Sequence, residues 1–390
     1  MMNAAPLKTV TILGATGSVG LSTLDLVRRN PKHFSVKALT AHTNVETLAK
    51  LAWEFRPDIA VISANQHLED LISALDGSGV ACLGGESGLI EAAQAESDIV
   101  MAAIVGAAGL KPTLAAVSRG ATIALANKEC LVCAGDIMMA QARESGSKIL
   151  PVDSEHNAIF QVFDANAAKT VEKIILTASG GPFRERSLES LHSVTPDQAV
   201  AHPNWDMGRK ISVDSATMMN KGLEVIEAYH LFPVRTDQIE VIIHPQSVIH
   251  SMVQYIDGSV LAQLGSPDMR TPIAYSLAWP ERMNAPVDRL SLAEIGTLSF
   301  TEPDMARFPC LELAMNALKT GGAAPTILNA ANEIAVEAFL AEKIRFIDIS
   351  SVVSETLEIS DMKAPQSISM VFDVDAEARR QAEHIVKRLE

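Results

Sequence analysis

The chain has 390 residues, 48% apolar and 20% charged. That is the make-up of a folded globular protein and excludes disordered, collagen-like and low-complexity classes, while the length suggests two or three domains. Forty-seven acidic against 32 basic side chains leave a net charge of −15, so the mean field repels nucleic-acid phosphate and anionic membrane surfaces; an anionic small molecule needs a local cluster of donors. Aromatic residues, at 4%, are too sparse for base-stacking platforms. Four cysteines make no disulfide framework and point to a reducing, cytoplasmic compartment. Cys130 and Cys133 spell C-x-x-C, which reads either as a redox or zinc pair or as two small residues packed in a helix. The first ten residues lack the apolar core of a signal peptide, and the apolar run 99–110 falls well short of the roughly 20 residues that span a bilayer.

The first expected strand, Thr9 to Leu13, runs into Gly14-Ala15-Thr16-Gly17-Ser18-Val19-Gly20 and then a helix over residues 21–29. Strand, glycine turn and helix form the context of a dinucleotide fingerprint, here spaced G-x-x-G-x-x-G. Glycine lets the backbone approach a pyrophosphate, and the helix N-terminus offers it free N–H groups. A plain strand-to-helix turn is the alternative. The second strand, residues 35–40, ends in Ala41-His42-Thr43-Asn44, and no acid occurs between Pro31 and Val45. The carboxylate that would hold a ribose 2′-OH is missing, which favours NADP over NAD. Further strands at 58–63, 99–105 and 121–126 alternate with helices, so a parallel sheet is expected, with ligands at the strands' carboxyl ends. Asn127-Lys128-Glu129 stands at one such end, as a site or as a solvated helix cap.

Residues 148–152 lead into Asp153-Ser154-Glu155-His156. In an extended segment Asp153 and Glu155 share a face, and two convergent carboxylates call for a proton or a hard cation such as Mg²⁺ or Mn²⁺ between them. A surface turn carries the same residues without a metal. The strand at 174–176 is followed by Thr177-Ala178-Ser179-Gly180-Gly181-Pro182, an anion nest or an ordinary turn. The stretch 202–210 combines Trp205 and Met207 with Pro203 and Gly208, the composition of a mobile loop that covers something. Residues 215–224 are expected to be one helix with Asn220 and Glu224 on one face and Lys221 beside Glu224: a phosphate and metal grip, or a surface ion pair. Strands at 241–252 and 259–264 suit an open sheet, 284–304 reads as a polar linker, and helical patterns at 310–318, 325–341, 347–362 and 375–389 predict a four-helix bundle.

These segments together resemble the 1-deoxy-D-xylulose 5-phosphate reductoisomerase family of the methylerythritol phosphate route to isoprenoids. The likeness is carried by 14–20, 127–129, PVDSEHNAIFQ (151–161), TASGGPFR (177–184), HPNWDMGRKISVDSATMMNKGLE (202–224), HPQSVIHSM (244–252) and GSPDMRTP (265–272). Where family members usually have glycine and a basic or polar residue before asparagine, this chain has Ala41-His42-Thr43-Asn44, and Cys130 stands where many have serine. The resemblance implies an α/β fold: an NADPH-binding Rossmann-like domain over 1–152, a catalytic α+β domain over 153–283 with an open sheet and a lid at 201–209, a linker at 284–307 and a helix bundle over 308–390. It implies an NADP-dependent oxidoreductase that isomerises 1-deoxy-D-xylulose 5-phosphate and reduces the product with NADPH to 2-C-methyl-D-erythritol 4-phosphate, as a homodimer.

By the same resemblance, Asp153, Glu155 and Glu224 hold a divalent metal (Mn²⁺, Mg²⁺ or Co²⁺). Lys128, Ser154, Glu155, Ser179, His202, Trp205, Ser215, Asn220, Lys221 and Glu224 surround the substrate, with Lys128, Asp153, Glu155, Glu224 and His202 catalytic. Thr16, Gly17, Ser18, Val19, Asn44, Asn127, Glu129 and Gly208 contact NADPH. Two other classes fit parts of the pattern: an NADP-dependent semialdehyde or homoserine dehydrogenase, which needs no three-carboxylate cluster, and a non-catalytic nucleotide sensor.

Overall fold

Thr9, Val10, Thr11 and Ile12 follow one another in the first strand, Lys8–Leu13 (β1), and the β-branched run suits a pleated, buried surface. Val10 to Leu13 are wholly buried, as a strand covered on both faces must be. The computed structural model describes residues 7–201, 205 and 207–390. They form two compact units, the first from Met1–Cys130, Met138–Asn157 and Asp268–Val287, the second from Leu131–Ile137, Ala158–Pro267 and Asp288–Glu390.

In the first unit strands alternate with helices. After β1 come Ser18–Arg29 (α1), Phe34–Ala41 (β2), Val45–Phe55 (α2), Ile59–Ile62 (β3), Leu68–Ala74 (α3), Ala81–Gly84 (β4) and Gly85–Gln94 (α4). The series continues with Ile99–Ala102 (β5), Leu110–Ser118 (α5), Thr122–Leu125 (β6), Glu129–Ser145 (α6), Lys148–Pro151 (β7) and Ser154–Val162 (α7); residues 131–137 of α6 and 158–162 of α7 are counted with the second unit. The seven strands lie in the order β4-β3-β2-β1-β5-β6-β7, every pair parallel. The order reverses between β1 and β5, and in such sheets ligands bind beyond the carboxyl ends of the strands at that reversal. The expected parallel sheet is therefore present, with two strands more than the pattern of the sequence marked.

The second unit carries a four-stranded sheet in the order β11-β10-β8-β9, from Val171–Ala178 (β8), Ile239–Ile243 (β9), Ile249–Tyr255 (β10) and Val260–Leu264 (β11). The run expected as strand over 241–252 is thus two strands. They part at His244–Val248, where Ser247 has φ 51 and the His244 ring takes the hydrogen bonds: Nε2 accepts from Val248 N and Ile249 N, both at 3.2 Å, while Nδ1 lies 3.0 Å from the Ser299 carbonyl.

Around this sheet lie the short helices Leu188–Leu191 (α8) and Pro196–Val200 (α9), then Arg209–Ala216 (α10) and Met219–Leu231 (α11). Arg270–Ala278 (α12) returns the chain to the first unit, where it packs on α1. Leu292–Ile295 (α13) is the one helix between 284 and 307, and Thr301 of that stretch pairs with Ile243. The C-terminal part is helical as expected: Pro309–Thr320 (α14), Ala324–Leu340 (α15), Asp348–Ile359 (α16) and Ile368–Leu389 (α17), with α15 packed on α14, α16 and α17.

Helix α14 also packs on α11, and the approach is close because Gly222 has no side chain: a Cβ there would stand 2.4 Å from Ala314 Cβ. Overpacking of this kind costs about 1–3 kcal/mol. Gly222→Ala is expected to destabilise the protein by that amount in denaturant unfolding, and Ala314→Gly in the same chain should recover part of the loss, because the two positions share one contact. Purely additive losses would show that the contact is not the cause.

Candidate active site

The glycine turn after β1 is shaped by contacts inside its own unit. Gly14 has φ +89, and a Cβ on it would lie 2.6 Å from the Ala103 carbonyl; one on Gly20 would lie 2.3 Å from the Gly14 carbonyl. Gly17 is different. It is exposed, it is the N-cap of α1, and a Cβ there would meet nothing closer than 3.5 Å. Contacts within the described residues do not require a glycine at 17, and the missing side chain leaves the helix end open. Thr16, Gly17, Ser18 and Val19 surround that end, and the first turn of α1 holds no acid. Thr40 ties the turn to β2 by accepting from Gly14 N (2.9 Å, side chain) and Ala15 N (2.7 Å, backbone). Beyond β2, Asn44 caps α2 by accepting from Thr47 N at 3.0 Å.

Strands β6 and β7 end level, with Leu125 opposite Pro151, so the residues that follow each meet. Asn127 donates to the Ile104 and Gly106 carbonyls and accepts from Cys130 N at 3.2 Å, which closes the turn into α6. Lys128, the N-cap of that helix, and Glu129 are both buried. Lys128 Nζ lies 2.5 Å from Asp153 Oδ2, and His156 Nδ1 lies 3.2 Å from Asp153 Oδ1. Burial pushes the Asp153 pKa up, and the charge of Lys128 with the hydrogen bond from His156 more than reverses it, so the carboxyl is held well below the usual range.

The local conformation is not the extended one expected. The strand ends at Pro151 and helix α7 starts at Ser154. Asp153 caps its start, accepting from Glu155 N at 3.3 Å through its side chain, so Glu155 is placed by a helical turn and not by strand alternation. Its carboxylate accepts from Ser154 Oγ at 2.6 Å.

The second unit gathers a different set. Gly180 and Gly181 follow β8 with φ +80 and +67, and Gly181 N donates to Ser179 Oγ at 3.2 Å. A Cβ on Gly181 would lie 2.7 Å from the Ser215 carbonyl, so the turn that carries Ser179 rests directly on α10 at Ser215. The single helix expected over 215–224 is broken. Helix α10 ends at Ala216, Met218 takes the left-handed conformation at φ 63, and α11 starts at Met219. The corner preserves the expected face of α11, where Asn220 and Lys221 both donate to the Glu224 carboxylate. Lys221 and Glu224 are buried. Gly208 caps α10. His202, Pro203, Asn204 and Asp206 lie outside the described residues, so of the expected lid only Ala201, Trp205 and Met207 to Arg209 are described.

Two histidines join these groups without having been read from the sequence as site residues. His156 faces Asp153, and its i,i+3 spacing inside DSEH was the available signal. His250 on β10 lies 6.4 Å from the Trp205 ring, centroid to centroid, and feels the charge of Lys221, a neighbour no local spacing reveals. Cys130 and Cys133 are buried in α6, as the packing alternative expected.

A glycine turn and helix end at the reversal point of a parallel sheet, with a buried lysine–carboxylate pair at the same sheet end, define a dinucleotide-dependent oxidoreductase. Family models narrow this. The model of 1-deoxy-D-xylulose 5-phosphate reductoisomerase matches residues 10–135, that of its C-terminal domain residues 149–232, and a DXP reductoisomerase C-terminal domain residues 264–381. The chain is 58% identical to the Ralstonia nicotianae 1-deoxy-D-xylulose 5-phosphate reductoisomerase, over 97% of this chain and 98% of that one. It superposes with a TM-score of 0.93 on the Zymomonas mobilis enzyme solved with NADPH, at 53% identity over 98% and 99% of the two chains. A DOX-P reductoisomerase solved with NADPH, fosmidomycin and magnesium also gives 0.93, at 45% identity over 98% of each chain. The chain belongs to the 1-deoxy-D-xylulose 5-phosphate reductoisomerase family.

Burial lowers the His250 pKa, hydrogen bonding to the Ser266 and Gly265 backbone raises it, and the charges of Lys221 and His244 lower it further, to about 4. The unfolded chain, near 6.5, binds the proton first as pH falls, so the stability present above pH 6.5 is lost progressively down to pH 4. The full gap corresponds to about 3 kcal/mol. Denaturant midpoints are expected to fall across that window, and His250→Gln to flatten this part of the profile; an unchanged slope would mean that other groups carry it.

Proposed function

We infer that this chain isomerises 1-deoxy-D-xylulose 5-phosphate and reduces the product to 2-C-methyl-D-erythritol 4-phosphate, with NADPH and a divalent metal ion, and that the residues named above divide the work. The observation that carries the reading is the buried Lys128–Asp153 pair just beyond β6 and β7, at the same end of the sheet as the glycine turn.

The residues suit both groups. The exposed Gly17 helix end, free of acid in its first turn, suits the NADPH pyrophosphate, with Thr16, Ser18, Val19, Asn44, Asn127, Glu129 and Gly208 as further contacts. Asp153, Glu155 and Glu224 offer only carboxylate oxygens, the donor set of a hard cation; we propose them as ligands of Mg²⁺, Mn²⁺ or Co²⁺. When bound, the cation supplies Lewis acidity and NADPH supplies the hydride.

The chain's own groups do the rest. Lys128 presents a fixed positive charge to the reacting oxygens and offsets negative charge that develops there. Ser154 orients Glu155 through its hydroxyl. Ser179, Ser215, Asn220 and Lys221 bind the phosphate, so binding energy remote from the reacting carbons holds the substrate in register. His202 and Trp205 are proposed to contact the bound sugar, with 201–209 closing over it to exclude water.

The assembly is proposed to be a homodimer. Strand β11 is a sheet edge that leaves Val260 and Leu261 about half exposed, next to Ile256 at 68%, and a second copy covers such an edge most simply. Among the described residues no helix is long and apolar enough to cross a membrane. Cysteine usage favours the cytoplasm as the place of action.

Asp153→Asn is expected to lower kcat by roughly 100-fold or more and to weaken Mn²⁺ binding measured directly by electron paramagnetic resonance, with NADPH affinity little changed. Full turnover in excess chelator would exclude the metal assignment. For Lys221→Ala the expectation is a rise of about 10- to 100-fold in KM for the sugar phosphate, the worth of one charge-assisted contact of roughly 1.5–3 kcal/mol. An unchanged KM would leave Lys221 as no more than the ion-pair partner of Glu224.

A further inference from the structure

We propose that Asp214 is a positioning residue for the phosphate end of the substrate, held in place by Asn332 of the C-terminal helices; this rests on the phosphate assignment given above. Asp214 sits on α10 one residue before Ser215 and is 1% exposed. Both of its oxygens are committed. Oδ2 pairs with Lys210 Nζ at 2.8 Å, one turn earlier on the same helix, and Oδ1 accepts from Asn332 Nδ2 on α15 at 2.8 Å.

Asn332 is the telling partner. It is fully buried on a helix whose neighbouring positions Leu328, Ala331, Ala335 and Val336 are apolar and buried. Among the described residues its Oδ1 has no hydrogen-bond partner, and neither has Oδ1 of Asn329, one turn before it. Turning the amide over is no remedy, because the oxygen would then face the Asp214 carboxylate. A leucine of similar size would fill the space without leaving a buried acceptor unmet. The amide is therefore explained by what its nitrogen does, which is to hold Asp214.

Helix α10 needs such a hold. It has eight residues, too few for a helix to be stable by itself, and it stops at Ala216, two residues before the left-handed Met218. Two bonds converging on Asp214 tie its first turn, through Lys210, to α15. The neighbouring side chain, Ser215, takes its direction from the rotation so fixed. The Gly181 turn rests on the Ser215 carbonyl, so a shift of α10 moves Ser179 as well. Asp214 acts on the phosphate through these two serines.

The test uses the full chain carrying Asp214→Asn or Asn332→Leu. The expected result is a rise of about 10-fold in KM for 1-deoxy-D-xylulose 5-phosphate, the scale on which a displaced binding group is felt, with kcat within about twofold. The Kd for inorganic phosphate, read by calorimetry, should rise by the same factor, and the Kd for NADPH should not change. A purely structural role lowers the fraction of active molecules, so kcat falls with KM and the phosphate Kd unmoved; that result overturns the proposal. If Asp214→Asn does not fold, Asn332→Leu, which replaces a buried amide by a side chain of similar volume, decides the question alone. A wild-type chain that fails to turn over the sugar phosphate overturns the function instead, and the phosphate titration still reads the effect of Asp214.

Discussion

A carboxylate taken out of water stays charged only if a cation or several hydrogen-bond donors face it. Asp153 meets that condition with Lys128 on one oxygen and His156 on the other. Removing one partner from such a buried pair costs about 3–5 kcal/mol, so the pair constrains everything that delivers it. Strands β6 and β7 must lie side by side and end level. The Asn127 amide must close the turn so that Lys128 caps the start of α6, and α7 must start immediately after Asp153, because its first turn brings His156 back. The parallel sheet is thus both a core and a jig that aims a lysine and an aspartate at each other.

The second unit solves the same electrostatic problem with a helix. Glu224 is buried and meets Asn220 and Lys221 from the preceding turn. Spacing alone delivers these donors, and what has to be imposed is the orientation of the helix. Met218 in the left-handed region sets the corner between α10 and α11, the close Gly222–Ala314 approach seats α11 on α14, and the Asp214–Asn332 bond sets α10. A non-glycine residue at positive φ costs free energy and persists only where its surroundings over-determine it.

Where the fold departs from the local pattern of the sequence, the cause is the same. The extended reading of 153–155 rests on two carboxylates at i,i+2 sharing a face, and the single helix over 215–224 on the i,i+4 spacing of Asn220 and Glu224. Both expectations extend a local period through a point where the chain turns. At Asp153 the turn comes from side-chain capping, and at Met218 from tertiary packing that pins a conformation no propensity favours. The strand-like run 241–252 is likewise interrupted at His244, where an imidazole takes over the backbone N–H groups and splits one expected strand in two.

Several features were settled by local chemistry: the glycine turn after β1, the missing acid after β2, the Asn220–Lys221–Glu224 face, and the helices of the C-terminal part. Each depends on residues within about one turn or one strand of each other, where backbone geometry fixes which side chains meet. The long motifs added the family, because an ordered set of such segments is far more specific than any one of them. Only the tertiary structure decided which distant groups are neighbours: Lys128 with Asp153, Ser179 with Ser215 through Gly181, His250 with Lys221 and Trp205, and Asn332 with Asp214. Those meetings depend on strand order, register and helix packing, which are set by burial over the whole chain and leave no mark in the local period of the sequence.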